Sequence, residues 1–247
     1  MSVETYLSRA RLRRDAPAAA LRDLLVPKGE SARTVAGHRL VWTLFADSPD
    51  RTRDFLWREA EPGLFYILSR RIPVDRHGLF ELQEAKPFQP VLSPGDRLAF
   101  SLRANATIAR GSATGTRSKP CDIVMDALYR IPTEQRGEAR KAAMEREGVA
   151  WLARQGERAG FSLASVDGRG DTVPGDGHAR AGGGPAVRVL GHRTLRVDRA
   201  GAPARLGVLD LEGVLVVCDP EQFVGAITQG FGRAKAFGCG LMLVRRA

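Results

Sequence analysis

Cysteine, histidine and acidic residues are all scarce in this 247-residue chain, and each shortage closes off a class of function. Cys121, Cys218 and Cys239 are odd in number and far apart, with no CxxC pair, so neither a disulfide framework nor a zinc site is expected. The four histidines, His38, His77, His178 and His192, form no HxxxH or HxH pair and no His–carboxylate cluster. Metal catalysis therefore has little support, and no metal or other cofactor is expected. No stretch approaches the roughly 20 apolar residues that cross a bilayer. Met1–Arg14 has no apolar signal core, so no membrane partner and a reducing, cytoplasmic setting are expected. GxxxxGK[ST] and GxSxG are both absent. The aromatic-rich signature by which sheet-stacking RNA domains hold bases is missing too, so any RNA contact should be electrostatic and shape-based.

The shortage of acids leaves 38 Lys and Arg against 28 Asp and Glu, a net charge of +10. That excess is largely arginine, whose planar fork binds phosphate. A nucleic-acid footprint becomes the first suspicion at this charge, although a high-GC genome also enriches arginine. At about 100 to 150 residues per domain, the length suggests two domains.

Residues 3–12 alternate as a first strand, and Ala18–Leu25 favours helix until Pro27 and Gly29 break it. Thr34–Phe45 has the period of an amphipathic helix, with His38 at the edge of its buried stripe. Asp54–Glu59 suggests a further helical turn, and Gly63–Ile72 and Arg97–Asn105 suggest strands. Gly111–Lys119 is small and polar, as a linker would be. A long helix is expected over 133–158, where Arg136, Arg140, Arg154 and Arg158 form a stripe best taken as a solvated face. Phe161–Val166 is strand-like, Asp167–Pro185 a glycine-rich loop, and Ala186–Val197 with Arg205–Val217 a β-hairpin carrying Arg196 and Arg199 near its tip. Phe223–Ile227 is the last helix and Leu241–Val244 the last strand. The order in each half is that of a split βαβ unit. The expected fold is α+β: two tandem ferredoxin-like (RRM-like) domains, 1–110 and 121–247, joined by a linker over 111–120.

Between the last helix and the last strand lies QGFGRAKAFGCGL, Gln229–Leu241, with Gly230, Gly232, Gly238 and Gly240 around Arg233 and Lys235. It is either a packing turn or a backbone shaped for close approach to phosphate. GFGRAK only partly matches a dinucleotide fingerprint, follows a helix rather than a strand, and leaves no room for a βαβ unit. A nucleotide-dependent enzyme is thus a weak third candidate, which saturable binding of NAD or ATP would reveal. Among the histidines, His38 stands out because Gly37, Arg39 and aromatic residues surround it on a helix.

Taken together, YLSR (Tyr6–Arg9), HRLVWTLF (His38–Phe45), RDFLW (Arg53–Trp57), KPFQPVLSPGDRLAFSLRAN (Lys86–Asn105), Trp151-Leu152, Gly160-Phe161, LEGVLVVCDPEQ (Leu211–Gln222) and the terminal glycine run resemble one family in one order. It is the CasE family of CRISPR RNA-processing endoribonucleases of the type I-E Cascade complex, within the RAMP superfamily. The resemblance implies tandem ferredoxin-like domains and a metal-independent cut at the base of the repeat hairpin of CRISPR precursor RNA. The products would be a 2′,3′-cyclic phosphate and a 5′-hydroxyl, with the enzyme then staying on its RNA as a Cascade subunit.

The resemblance also implies partners: the repeat hairpin and other Cascade subunits, especially a backbone subunit, with the chain monomeric when free. It implies a proton-transfer role for His38, and RNA contact by Arg39, Arg103, Arg117, Lys119, Arg196, Arg199, Arg233 and Lys235. Gly238 and Gly240 are then packing positions of a loop near the RNA path. The family carries a tyrosine three residues before its histidine, and this chain has Val35. An alternative follows, a subunit that clamps the hairpin without cutting it.

Overall fold

The computed structural model describes residues 4–15, 21–48, 50–109, 120–165, 184–199 and 202–247. The alternating segment Tyr6–Leu12 forms β1, sending Ser8, Ala10 and Leu12 to its buried side. A one-turn helix α1 (Arg22–Leu25) precedes α2 (Glu30–Thr43), whose Thr34, Gly37, Leu40 and Val41 are buried. The helix starts four residues before the periodic stretch, and Glu30 adds a favourable negative charge to its first turn. Then come β2 (Phe55–Glu61), β3 (Leu64–Ser69), β4 (Phe80–Leu82) and β5 (Lys86–Pro87). They form an antiparallel sheet in the order β2-β3-β1-β4, with β5 also on β1.

The segment expected to be a helical turn, Asp54–Glu59, is instead largely β2. Phe55 and Trp57 enter the core under α2, whereas Leu56 enters the core of the second unit. A strand covered on both faces loses its polar alternation, and a short apolar run then carries no period that separates it from helix. No helix fills residues 70–79 between β3 and β4, where the split βαβ pattern called for one.

The second unit is built from β6 (Arg97–Ala104), the short pair β7 (Thr107–Ala109) and β8 (Pro120–Asp122), helices α3 (Ile123–Tyr129) and α4 (Arg136–Ala159), β9 (Phe161–Leu163), β10 (Val187–Arg199), β11 (Ala202–Val217), α5 (Pro220–Gln229) and β12 (Met242–Arg246). Its sheet runs β10-β11-β6-β12, with β9 on β11. Counting β6 as the first strand, both sheets show the order second, third, first, fourth, the ferredoxin-like order. Residues 97–104, expected within a first domain of 1–110, therefore pair in the second sheet. Period-2 alternation shows that a strand is half-buried but not which sheet it joins. Here Leu98, Phe100, Leu102 and Ala104 face the second core with Trp151, Leu152 and Phe223. The expected linker falls almost wholly outside the described residues, with Pro120 already in β8.

The two units share a seam. Leu56 and Leu68 of the first sheet lie in the same buried cluster as Leu102, Phe231 and Leu241. At one end of this seam Trp57, 1% exposed, donates its indole Nε1–H to the carbonyl of Ala236 at 3.1 Å. Gly37 faces this ring from α2 and Gly238 from the C-terminal loop.

A methyl at Gly37 would stand 2.9 Å from Cη2 of Trp57 and 3.2 Å from the Phe65 ring. Gly37→Ala is expected to cost about 1–3 kcal/mol by overpacking, although alanine ordinarily favours a helix interior. Gly225→Ala in α5, with nothing within 4 Å of the added Cβ, is expected to gain up to about 1 kcal/mol. Denaturant midpoints of the two variants, moving in opposite directions, are the check.

Candidate active site

His38 sits half-buried on α2, at the border of the buried stripe as its spacing predicted. Trp42, one turn on, presents its edge at 6.4 Å between ring centroids, and Phe237 from the C-terminal loop lies at 5.9 Å. Nδ1 of His38 is out of solvent and has no hydrogen-bond partner among the described residues. Nε2 is thus the nitrogen left to meet a substrate. Burial first, then the charges of Arg53 and Arg39, hold the imidazole below its ordinary value near 6.5. The ring is neutral at about pH 7 and able to accept a proton.

Arg53 stands at the entry to β2 and is also half-buried. One of its terminal guanidinium nitrogens, Nη1, is buried with no partner among the described residues. Lys235 begins the 3-10 turn Lys235–Phe237, which packs against α2 and β2. Burial and then the Arg53 charge lower its pKa. Among the described residues neither cation has an acidic partner, although their charges disfavour one another. Cations left unneutralised in a half-buried place are suited to an anion that the protein does not itself supply.

The glycine-rich loop both packs and approaches. Gly230 lies against Leu56, and Gly232 against the Asn105 carbonyl and Trp151. Gly238, at φ +71°, meets the face of Trp57, and a Cβ on Gly240 would stand 3.3 Å from Cγ of Lys235. Arg233 is exposed, and its backbone N–H donates to the carbonyl of Asn105 at 3.2 Å.

Arg103, expected on RNA, has its fork on Asp210 at 2.8 and 3.3 Å. Asp210 also takes Nη1 of Arg193 at 2.6 Å, and Arg193 reaches on to Glu30 of α2. Burial raises the Asp210 pKa, but the Arg103 bond and charge and then Arg193 outweigh it, leaving the carboxyl below its usual range. Arg103 thus ties β6 to β11 through Asp210, and Arg193 carries the link on to the first unit's helix. Arg39 and Arg196 are exposed. The backbone N–H of Arg196 donates to Ser31 Oγ at 3.0 Å, which sets the hairpin beside the start of α2. Arg199 ends β10, while Arg117 and Lys119 lie outside the described residues.

Val35 belongs to an apolar cluster with Leu195, Val197, Val208 and Cys239 between α2 and the hairpin. The His192 side chain on β10 is out of solvent, its Nε2 2.9 Å from Asp122 Oδ2 and its Nδ1 3.1 Å from Arg140 Nη2, so it clamps α3 and α4 to the hairpin. Arg53 is the site residue that the sequence reading left unnamed. It lay inside a quoted segment, but no pattern in one sequence tells a paired arginine from an unpaired one.

A family model described as CRISPR associated protein matches residues 5–246. The chain belongs to that family. Among its relatives, the CRISPR-associated endoribonuclease Cse3 of Thermus thermophilus is 32% identical over 173 residues, 68% of this chain and 64% of that protein. The match therefore spans just under two thirds of that relative's length. The CRISPR system Cascade subunit CasE of Escherichia coli is 26% identical over 214 residues, 83% and 88% of the two chains. The structure of Cse3 bound to a 19 nt RNA aligns with a TM-score of 0.65 at 26% identity, covering 98% of this chain and 99% of that one. Thermus thermophilus Cse3 bound to an RNA representing a pre-cleavage complex aligns at 0.64 and 28%, with 98% and 99% covered. The resemblance to CasE and the tandem ferredoxin-like fold are both borne out. No helix among the described residues is long and apolar enough to cross a membrane.

Two outcomes follow from the electrostatics. Asp210→Asn leaves Arg103 without its carboxylate and Arg193 with Glu30 alone. The expected cost is roughly 2–4 kcal/mol, toward the low end for broken buried pairs because these arginine side chains keep 24% and 28% exposure. A denaturation midpoint unchanged from wild type would contradict this. For His38, the folded-state pKa is below the unfolded one, so its contribution to stability is present above pH 6.5 and is lost as pH falls. An NMR titration should place the His38 midpoint below 6.5, and inorganic phosphate should raise it by stabilising the protonated ring.

Proposed function

We propose that this chain is a metal-independent endoribonuclease that binds the repeat hairpin of CRISPR precursor RNA and cuts at its base. The observation that carries the reading is the neutral His38 under the charge of Arg53, with Lys235 on the turn packed against the same helix and neither Arg53 nor Lys235 given an acidic partner among the described residues. Attack by the ribose 2′-hydroxyl on its own phosphate needs a base, donors for the charged phosphorane, and in-line placement. His38 Nε2 accepts the 2′-hydroxyl proton, and Arg53 holds the phosphate oxygens, with Lys235 as the second cation of the site. The 2′-oxygen–phosphorus bond forms as the 5′-oxygen leaves, giving a 2′,3′-cyclic phosphate and a 5′-hydroxyl. Exposed Arg39, Arg196 and Arg233, with Arg199, Arg117 and Lys119, supply phosphate contacts along the stem. Arg103 supports the RNA surface by holding β6 and β11 in place. Similarity to Cse3 and CasE, named for endoribonuclease activity and for Cascade, supports this reading and a continuing place for the cleaved, protein-bound RNA in that complex.

The packing of Val35 against the hairpin favours a second reading, because a valine carries no proton to the reaction. In that case the chain clamps the hairpin and does not cut. Incubation with synthetic repeat RNA in EDTA separates the two. The nuclease reading expects cleavage by wild type, and by His38→Ala a rate about 100- to 10,000-fold lower with binding retained. Intact RNA with both proteins would sink it. Binding should also weaken steeply as salt rises, since each neutralised phosphate releases counterions.

A further inference from the structure

Cleavage by 2′-hydroxyl attack moves two protons, and His38 accepts only one of them. The other must reach the departing 5′-oxygen, since an alkoxide is a poor leaving group at neutral pH. Few groups around His38 can supply it. Trp42 and Phe237 offer no titratable proton, and Val35 is packed into the apolar cluster under the hairpin. Arg39 and Arg53 keep their protons at any working pH. Lys235, on the turn packed against the helix of His38, is the titratable group that remains, and it can release a proton and regain it from solvent.

Four observations place Lys235 there as part of the architecture rather than as a loose surface cation. Its turn packs on α2, so that Phe237, two residues along, touches the His38 environment. Its stem crosses Gly240, where a Cβ would stand 3.3 Å from its Cγ. Ala234, directly before it, is the single non-glycine residue at positive φ among the described residues, at +54°. A strained backbone at the residue that sets a side chain's direction is a common mark of a working site. Arg53 acts on both His38 and Lys235 and so stands between the two groups electrostatically.

We propose that Lys235 is the general acid of the reaction, delivering its ammonium proton to the 5′-oxygen while His38 Nε2 takes the proton from the 2′-hydroxyl. This rests on the endoribonuclease reading above. Atoms and charge balance: one O–P bond forms and one breaks, the phosphodiester's single negative charge passes to the cyclic phosphate, and the two protein groups end as imidazolium and neutral amine. Solvent exchange restores both. Arg53, whose charge is permanent, remains the electrostatic partner of the phosphorane. Burial and the neighbouring Arg53 weaken the hold of Lys235 on its proton, which brings it nearer the range in which an acid is effective.

The experiment compares wild type, Lys235→Arg and His38→Ala in EDTA on two hairpin RNAs. One has the natural phosphodiester at the cut, the other a sulfur in place of the bridging 5′-oxygen, which leaves without protonation. Lys235→Arg keeps the charge and should bind the hairpin as wild type does. It should cut the natural RNA about 100- to 10,000-fold more slowly and recover on the sulfur substrate, whereas His38→Ala stays slow on both. Its pH–rate profile should also lose the alkaline limb, with His38, Arg39 and Arg53 unchanged around it. Natural-RNA cleavage by Lys235→Arg at the wild-type rate overturns the proposal. So does an equal defect on both substrates, which would make Lys235 a phosphate clamp. Wild type that binds but cuts neither RNA removes the endoribonuclease reading itself, and the general acid with it.

Discussion

The rest of the site depends on one contact, the Trp57 ring held between Gly37 of the helix that carries His38 and Gly238 of the C-terminal loop. The indole is essentially out of solvent, so its N–H must be satisfied, and Ala236, from the far end of the chain, provides the carbonyl. That bond joins residues 179 positions apart in sequence. It fixes the 3-10 turn against α2 to within the tolerance of a packed aromatic ring, and the turn carries Lys235 and brings Phe237 to His38. A Cβ on Gly37 would stand 2.9 Å from the ring, and Gly238 combines a φ of +71° with a ring only 3.2 Å from where its Cβ would be. His38 and Lys235 come from different units, so their relation is only as exact as this clasp.

The partly buried cations differ in what lies opposite them. Arg103 and Arg193 share Asp210, Arg33 meets Glu59 at 3.1 Å, and Arg71 is gripped by Asp54 and Asp47. These arginines commit their forks to holding strands, helix and loop together. Arg53 and Lys235 have no acid opposite among the described residues. A protein that desolvates a cation without pairing it is less stable for doing so, and the natural compensation is a ligand anion. The sorting also explains why net charge alone was a blunt guide. It counts Arg103 and Arg53 equally, although one is consumed by the fold and the other is held in reserve.

Much of this was legible in the sequence where a local rule operates. The 3.6-residue spacing of α2 put His38 at the edge of its buried stripe, and the glycine run marked the loop that meets it. What local patterns could not carry was pairing. The FLW of β2 read as helix because Leu56 is covered by the second unit, a neighbour far along the chain that includes Phe231 and Leu241. β6 read as part of the first half because a strand's period does not name its partners. The pairing of Arg103 was hidden in the same way, since Asp210, which takes its fork, lies 107 residues on. Arg53 went unnamed for the complementary reason, since the lack of a partner is a property of three dimensions.

Val35 connects these points. In the resembling family a tyrosine at this place would add a hydroxyl to the chemistry; here the position is given to packing. Val35 sits with Leu195, Val197, Val208 and Cys239, and the Cys239 thiol, buried in that cluster, is pushed up to about 12, so it stays neutral and inert. The cluster lies at the meeting of α2, the hairpin and the C-terminal loop. Its apolar contacts, with the Arg196 N–H bonded to Ser31, lock the hairpin onto the helix that carries His38. On the function proposed above, an RNA stem gripped by the hairpin is then held at a fixed offset from the imidazole. In-line attack by a nucleophile that the RNA itself brings depends above all on such an offset. On that proposed function, packing at Val35 serves this positioning rather than proton transfer, and the second proton comes from the loop on the other side.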